Sequence, residues 1–231
     1  MIGTFFNVGM ILIGSFLGSY FKKGIKAEYN AILTQALGLV AIAVGINAVV
    51  QYMPKSHYPV LFIVSLAVGG LFGQWLDLEK HFDNLVAKFS KPSANGEANL
   101  AEGLATAVLL YCIGSLSILG PIQAALNKDY TFLFTNGMLD GITSIVLAST
   151  FGFGMALAAI AVFAWQGSIY LIAMLLQNSI NNNMITELTI VGGILIFASG
   201  LGLLNIKKIK VLNLLPALLV PIVAIAVIGL F

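Results

Sequence analysis

The chain has 231 residues, of which 59% are hydrophobic and only 9% are charged. This composition excludes an ordinary soluble domain and indicates a polytopic membrane protein. The formal net charge of +2 gives no strongly basic surface, so no nucleic-acid partner is expected. Because all backbone polar groups must be satisfied within lipid, the predicted fold is an all-α transmembrane helical bundle. We expect one transmembrane domain over residues 1–231.

Apolar stretches of about 20 residues, the length that crosses the hydrocarbon, alternate with short polar gaps. Eight candidate spans lie at roughly 5–21, 31–51, 58–76, 102–120, 134–152, 154–176, 187–206 and 211–231. The first is followed by Lys22 and Lys23 rather than by a small-residue cleavage site. We therefore expect a retained helix and not a signal peptide.

The basic residues, all lysines, predict the orientation of the bundle. Nine lie in clusters after the first, third and seventh spans, whereas the opposite side receives only Lys55 and Lys128. The positive-inside rule then places the clusters in the cytoplasm and both termini outside. If residues 134–152 were re-entrant, the cluster at Lys207 would lie outside, so a complete crossing is favoured there.

A long polar segment, residues 77–101, separates the third and fourth spans. Apolar residues, among them Trp75, Phe82 and Leu85, recur there at three- and four-residue steps opposite a charged face. This pattern is typical of an amphipathic helix on the cytoplasmic interface. A docking site for a soluble partner is the alternative interpretation.

One carboxylate, Asp140, stands inside an apolar span and is the main candidate for function. On a helix, Asn136, Thr143 and Ser144 lie three or four residues from Asp140 and share its stripe. A charge at membrane depth costs about 3 kcal/mol, so such residues face a bundle interior or a wet cavity. The alternative is a polar contact that only holds helices together. Without a basic residue in a span, Asp140 would either stay protonated or bind a cation.

Other polar residues inside spans are interpreted first as interhelical contacts. They are Asn7, Gln35, Asn47, Gln166, Glu187 and Asn213. Gln166 is the deepest of them and is included in the candidate site. Glu187 follows the Asn181–Asn183 run, where it is expected to serve a helix N-terminus.

Small residues at four-residue spacing, Gly14/Gly18, Gly69/Gly73 and Gly137/Gly141, predict close contact between helices. The joint Gly152-Phe-Gly154 predicts a sharp turn or a broken helix, a feature that marks binding sites in many transporters. The triplet Ile-Gly-Ser begins at both Ile13 and Ile113, which hints at inverted repeats.

The sequence carries no phosphate-binding loop and no zinc-protease helix, so neither an ATP-driven pump nor a metalloprotease is indicated. Cys112 is the only cysteine, which excludes an intramolecular disulfide and a cysteine-rich metal site. We expect no enzyme activity, no cofactor and no metal centre.

Motifs spread along the chain resemble those of the bacterial DUF554 (YqgA/YdfK-like) family of integral membrane proteins. They include Gln35-Ala-Leu-Gly-Leu39, Leu110-Tyr-Cys-Ile-Gly-Ser-Leu, Leu139-Asp-Gly-Ile-Thr-Ser and Ile206-Lys-Lys-Ile-Lys. Gln74 departs from the family pattern, in which a glutamate is expected. The resemblance implies the bacterial inner (cytoplasmic) membrane and supplies no substrate.

The leading hypothesis is a small secondary transporter or ion-coupled carrier of a small solute or ion, a proton or cation. Asp140 would bind the ion, and Asn136, Thr143, Ser144 and Gln166 would line the site. The alternatives are a membrane sensor or scaffold that acts through residues 77–101, and a passive channel. A homo-oligomer is expected because eight helices make a thin bundle.

Overall fold

A computed structural model describes residues 1–20, 26–81, 84, 100–177 and 181–228. All the regular elements in these ranges are helices, which confirms the all-α bundle. The predicted interfacial helix, with Phe82 and Leu85, falls mostly on residues 82–99 and so lies largely outside the described residues.

Ten α-helices are defined within the described ranges and are numbered here in chain order. They are α1 (Ile2–Tyr20), α2 (Ala27–Tyr52), α3 (Leu61–Leu76), α4 (Leu100–Ile113), α5 (Ser115–Leu126), α6 (Thr131–Phe151), α7 (Ala158–Leu175), α8 (Asn182–Leu203), α9 (Val211–Leu214) and α10 (Leu219–Ile228). Short 3-10 turns at Met53–Lys55, Phe153–Leu157 and Leu215–Leu218 follow α2, α6 and α9.

The distribution of side chains fits a protein whose outer solvent is lipid. Large apolar side chains point outward: Trp75 is 77% exposed and Leu71 is 74% exposed. Small and polar residues such as Ser15 and Ser65 are instead fully buried. Helix association in lipid depends on close packing and polar contacts, which accounts for this distribution.

Six helical stretches in the described part are long and apolar enough to cross a membrane. They are Ile2–Tyr20, Ala31–Lys55, Thr131–Phe151, Phe153–Leu175, Asn182–Leu203 and Val211–Ile228, and two shorter apolar helices are Leu61–Leu76 and Ser115–Leu126. The sequence-based count of eight crossings stays a prediction.

The fourth predicted span, 102–120, is not one helix. It consists of α4 and α5, separated at Gly114, whose φ of −61° and ψ of 147° are extended. An extended residue interrupts the helical hydrogen bonds between residues i and i−4, because its carbonyl and amide groups no longer point along the helix axis. Hydropathy alone missed this break because both flanking segments are apolar.

The joint between α6 and α7, predicted as a sharp turn or a broken helix, is an interruption of the helix at Gly152. Gly152 has φ 82° and ψ −178°, a conformation that L side chains rarely adopt, and its N–H bonds Ala148 O at 2.9 Å. The 3-10 turn Phe153–Leu157 then leads into α7. The feature of the sequence that predicted this interruption was the pair of glycines, Gly152 and Gly154.

The chain forms two compact units, each described here by itself. The first unit comprises residues 1–34 and 82–174, and the second comprises residues 35–81 and 175–231. Both are therefore discontinuous in sequence.

In the first unit α1 and α6 pack in parallel through glycines. A Cβ on Gly14 would overlap Gly141 O, and one on Gly18 would overlap Ile145 O. At the other end a Cβ on Gly3 would contact the Leu133 side chain at 2.6 Å. Residue numbers therefore increase in the same direction along α1 and α6. Because glycine has no side chain, the two backbones can come into direct contact.

The second unit contains two antiparallel pairs. On α2 and α8, Gly38 approaches Leu204 while Gly45 approaches Gly193. On α3 and the segment that begins with α9, Gly69 meets Ala217 and Gly73 meets Asn213. The predicted packing roles of Gly69 and Gly73 are confirmed by these contacts.

Candidate functional site

Asp140 lies midway along α6, where its side chain is only 6% exposed. Its Oδ2 atom accepts two amide hydrogen bonds, from Asn136 Nδ2 at 2.8 Å and from Asn7 Nδ2 at 2.9 Å. Asn136 stands one turn earlier on α6, whereas Asn7 comes from α1. Both donors are neutral, so neither of them balances the negative charge of an ionised Asp140.

A hydroxyl pair lies one turn further along α6. The Tyr111 hydroxyl, from α4, and Ser144 Oγ are 2.8 Å apart, and either can donate because each carries one hydrogen. Tyr111 is 2% exposed and Ser144 is fully buried. This pair ties the end of α4 to the face of α6 that carries Asp140.

The break between α4 and α5 lies level with Asp140. A Cβ on Gly103 would overlap the Phe151 ring, and one on Gly120 would lie 3.0 Å from the Leu133 side chain, so α4 and α5 together run antiparallel to α6. Gly114 lies between these two contacts, at the height of the middle of α6. Interrupted helices with the break at a midplane site are a recurrent architecture of transporters.

The core of this part of the first unit is apolar and continuous. It is built on α1, α4, α6, α7 and the turn before α7, and it supports the site from one side. Its buried members are Ile11, Ala107, Tyr111, Cys112, Ala148, Met155, Ala158, Ala159 and Val162.

Among the described residues of the first unit, four buried polar oxygens have no hydrogen-bond partner. Three are on α1, namely Thr4 Oγ1, Asn7 Oδ1 and Ser15 Oγ, and the fourth is Gln166 Oε1 on α7. All four side chains are fully buried. Buried polar groups are normally paired, so each of these oxygens calls for an explanation.

The predicted site residues are only partly brought together. Asn136 bonds Asp140, and Ser144 lies on the same face beside Tyr111. Thr143 instead donates to Leu139 O at 2.8 Å, within its own helix. Gln166 Nε2 donates to Ser117 Oγ at 3.2 Å on α5, apart from the carboxylate.

Sequence reasoning treated Asn7 as an interhelical contact and did not single out Tyr111. The available signal for Asn7 was its spacing: it lies seven residues before Gly14, which is two helical turns along one face. Gly14 and Gly18 predicted a close helix partner but did not identify it. In the structure Gly14 lies against Gly141 and Gly137 lies against Asn7, a register that pairing the two glycine motifs with each other would not have given.

Within the described part, no three residues among histidine, cysteine, aspartate and glutamate are placed to hold a metal ion together. Oxygens of the first unit remain available as ligands, in particular the carboxylate of Asp140 and the amide oxygen of Asn7. Such a donor set suits a hard cation rather than a thiolate- or imidazole-bound metal.

Glu187, in the second unit, does not serve the helix N-terminus as expected. Asn181 caps α8 by accepting from Met184 N at 2.8 Å, and Glu187 lies in the second turn with no exposure. Ser56 Oγ donates to Glu187 Oε1. The cap position goes to Asn181 because its short side chain reaches back to the first free amides.

A second polar contact in this unit holds the end of α3. Asn213 Nδ2 donates to Gln74 Oε1 at 3.0 Å, and Asn213 Oδ1 accepts from Glu79 N at 2.7 Å. Asp77 between them has φ 47°, a left-handed conformation that ends the helix. Gln74, the departure from the expected glutamate, thus serves as an acceptor in a structural contact.

Residues 2–226 match the profile of the family described as "Protein of unknown function (DUF554)". The chain is 64% identical over 231 residues to the "Uncharacterized membrane protein YdfK" of Bacillus subtilis, covering 100% of this chain and 98% of the relative. It is 26% identical over 224 residues to the "Uncharacterized protein YqgA" of Escherichia coli, covering 95% and 94%.

No solved structure matches the chain. The family match extends over almost the entire sequence, including the segments that carry Asn7, Gly114 and Asp140. The chain is therefore a membrane protein that belongs to the DUF554 family.

Proposed function

We propose that this protein is a small secondary transporter or ion-coupled carrier, and not an enzyme, with Asp140 as the residue that binds the coupling proton or cation. It would act in the bacterial inner membrane, with both termini outside and as a homo-oligomer. Its cargo is a small solute or ion.

The observation that carries this proposal is the position of Asp140 beside an interrupted helix. The carboxylate is buried, accepts hydrogen bonds from the neutral amides of Asn7 and Asn136, and is level with the break at Gly114. A residue that only holds two helices together does not need to be titratable. Asparagine or glutamine could make the same contact without the free-energy cost of burying a charge. A carboxylate adds the ability to exchange a proton or cation.

Interrupted helices support the same function for a second reason. Backbone groups freed at a break inside a membrane must face protein or a polar cavity. In carriers these groups bind substrate or coupling ions near the midplane. The α4–α5 break offers such groups at the height of Asp140.

The test is transport by the purified full-length protein in lipid vesicles. Pulses of a panel of amino acids, carboxylates, sugars and inorganic ions are applied on a solid-supported membrane, and the transient currents are recorded at several pH values and sodium concentrations. We expect at least one solute to give a current that saturates and depends on pH or sodium. Asp140→Asn keeps the shape and is expected to abolish that dependence.

The matched control is Asp129→Asn, the same substitution at the head of α6, where Asp129 Oδ1 accepts from Thr131 N at 2.9 Å. It should leave the current unchanged. If Asp140→Asn transports like the wild type, Asp140 is structural and the coupled-carrier proposal is wrong. A current that is linear in solute concentration would indicate a passive channel instead.

A further inference from the structure

Asn7 presents an oxygen that the contact with Asp140 does not use. Its amide nitrogen faces Asp140 Oδ2, because the amide oxygen and the oxygen of an ionised carboxylate are both acceptors and would repel. This orientation leaves Asn7 Oδ1 fully buried and without a donor. An amide oxygen can only accept, so its missing partner is a hydrogen-bond donor or a cation.

Thr4 adds a second unpaired oxygen on the same face of α1. It precedes Asn7 by three residues, so the two side chains are neighbours on one face of the helix. A helical threonine usually bonds the carbonyl three or four residues earlier, but Thr4 Oγ1 has no partner and no exposure. Oxygens thus collect on the side of α1 that meets α6.

The carboxyl end of α4 contributes negative potential at the same height. In an unbroken helix the carbonyls of Tyr111 and Cys112 would accept from Ser115 and Leu116, but the extended Gly114 interrupts that pattern. Helix C-termini carry partial negative charge. Tyr111 and Cys112 are also close enough to Asp140 to interact with its charge.

A carboxylate, an unpaired amide oxygen and a helix C-terminus at one height together make an environment that favours positive charge. No lysine that the structure describes lies within α1, α4, α5, α6 or α7: the described lysines are Lys26, Lys55, Lys80, Lys128, Lys207, Lys208 and Lys210. A single positive charge would neutralise Asp140, whereas a divalent ion would leave a net charge in a dry interior.

We propose that Asp140, Asn7 Oδ1 and the terminal carbonyls of α4 form a binding site for one monovalent alkali cation, the coupling ion of the carrier. The proposal deepens the carrier function and rests on it. The carboxylate supplies the charge, and the amide and carbonyl oxygens replace water around the ion, as hard cations require. Thr4 Oγ1 is the next unpaired oxygen on that face of α1, one turn toward the N-terminus from Asn7.

Binding is tested on the full-length protein in detergent at constant ionic strength. Thermal unfolding is followed by tryptophan fluorescence in choline chloride and in choline partly replaced by lithium, sodium or potassium. We expect at least one alkali ion to raise the unfolding midpoint by roughly 5–10 °C at a hundred times its Kd. Equilibrium binding of radioactive sodium or rubidium measures occupancy independently of stability.

Asp140→Asn and Asn7→Ala each remove part of the site. We expect Asp140→Asn to abolish the midpoint shift and the bound isotope, and Asn7→Ala to weaken binding at least tenfold. Ser168→Ala is the control, because Ser168 Oγ is exposed and bonds Trp165 O at 2.7 Å within α7. It should leave binding unchanged. If Asp140→Asn does not fold, Asn7→Ala still decides the matter.

Three outcomes overturn the cation site. If no alkali ion binds, but stability depends on pH in a way that Asp140→Asn removes, then Asp140 exchanges only a proton and the carrier function stands without this site. A response to calcium or magnesium alone contradicts the monovalent assignment. If neither pH nor ions act through Asp140 and the variant transports normally, the carrier function fails as well.

Discussion

At the residue scale the central feature is a carboxylate whose two partners share one oxygen. Asn7 and Asn136 both donate to Asp140 Oδ2. Hydrogen bonds between membrane helices average about 0.6 kcal/mol and reach about 1.7 kcal/mol. The Asn7 bond is the one that joins two helices, so its contribution to stability can be isolated by mutation.

A double-mutant cycle of Asn7→Ala and Asp140→Ala should give a coupling free energy of about 0.6–1.7 kcal/mol. The physical reason is the direct bond of 2.9 Å between Asn7 Nδ2 and Asp140 Oδ2. Reversible unfolding in mixed micelles supplies the four free energies of unfolding.

The control cycle pairs Asn7→Ala with Thr143→Ala. Thr143 lies on the same helix as Asp140 but donates to Leu139 O within it. We expect a coupling near zero for this pair. Equal couplings in the two cycles would mean that the bond between Asn7 and Asp140 is not a separate interaction.

The sequence predicted the partners on Asp140's own helix and missed those on other helices. Asn136 and Ser144 follow from helical spacing alone. Asn7 and Tyr111 could not be derived in this way, because nothing in a single sequence says which helix packs against α6. Thr143 shared the predicted spacing, but its hydroxyl bonds the backbone four residues earlier, a local option that threonine always has.

At the element scale glycines decide which helices touch. Gly14 on α1 lies against the backbone of Gly141 on α6, and Gly9 on the same helix has nothing within 4 Å of an added Cβ. The two glycines therefore offer a matched pair of substitutions in one helix.

Gly14→Ala should lower the free energy of unfolding by about 1–3 kcal/mol, because its Cβ forces α1 away from α6. Gly9→Ala should be neutral or raise stability by about 0.5–1 kcal/mol through helix propensity. Both are measured by unfolding in mixed micelles. Equal losses at the two positions would contradict the close parallel contact of α1 and α6.

The Ile-Gly-Ser triplets show how far a sequence repeat can mislead. Gly14 lies inside a continuous helix against Gly141, while Gly114 is the extended residue between α4 and α5 and has open space beside it. The same letters therefore occupy different conformations. The inverted repeat suggested by these triplets stays a prediction, and these two glycines do not support it.

At the scale of the whole molecule, helix directions constrain the number of crossings. α1 and α6 are parallel, so an odd number of crossings must separate them if both span the membrane. With α2, α3 and the pair α4–α5 as one interrupted crossing, that number is three. A re-entrant hairpin of α4 and α5 would leave two and make α1 and α6 antiparallel.

The antiparallel pairs of the second unit agree with the same count. Numbered as eight crossings, α2 is the second, α3 the third, α8 the seventh, and the segment of α9 and α10 the eighth. α2 then opposes α8, and α3 opposes the last segment, as their glycine contacts require. The hydropathy of the sequence predicts eight crossings. The glycine contacts test whether the number of crossings between two helices is odd or even.

Cysteine labelling in intact cells tests the orientation that follows. Single cysteines are introduced at Gly24, Pro92 and Lys207 and at Lys55 and Asn181, on a background in which the buried Cys112 is replaced by alanine. An impermeant maleimide should label positions 55 and 181 from outside, and positions 24, 92 and 207 only after permeabilisation. The reason is the excess of lysines on one side, nine against two, which the positive-inside rule assigns to the cytoplasm. Labelling of position 207 from outside would mean that an odd number of crossings lies between α3 and the end of α8. That result would contradict the eight-crossing prediction, even though α1 and α6 remain parallel. Labelling of all five positions with reversed sides would leave the crossings intact and contradict only the predicted orientation.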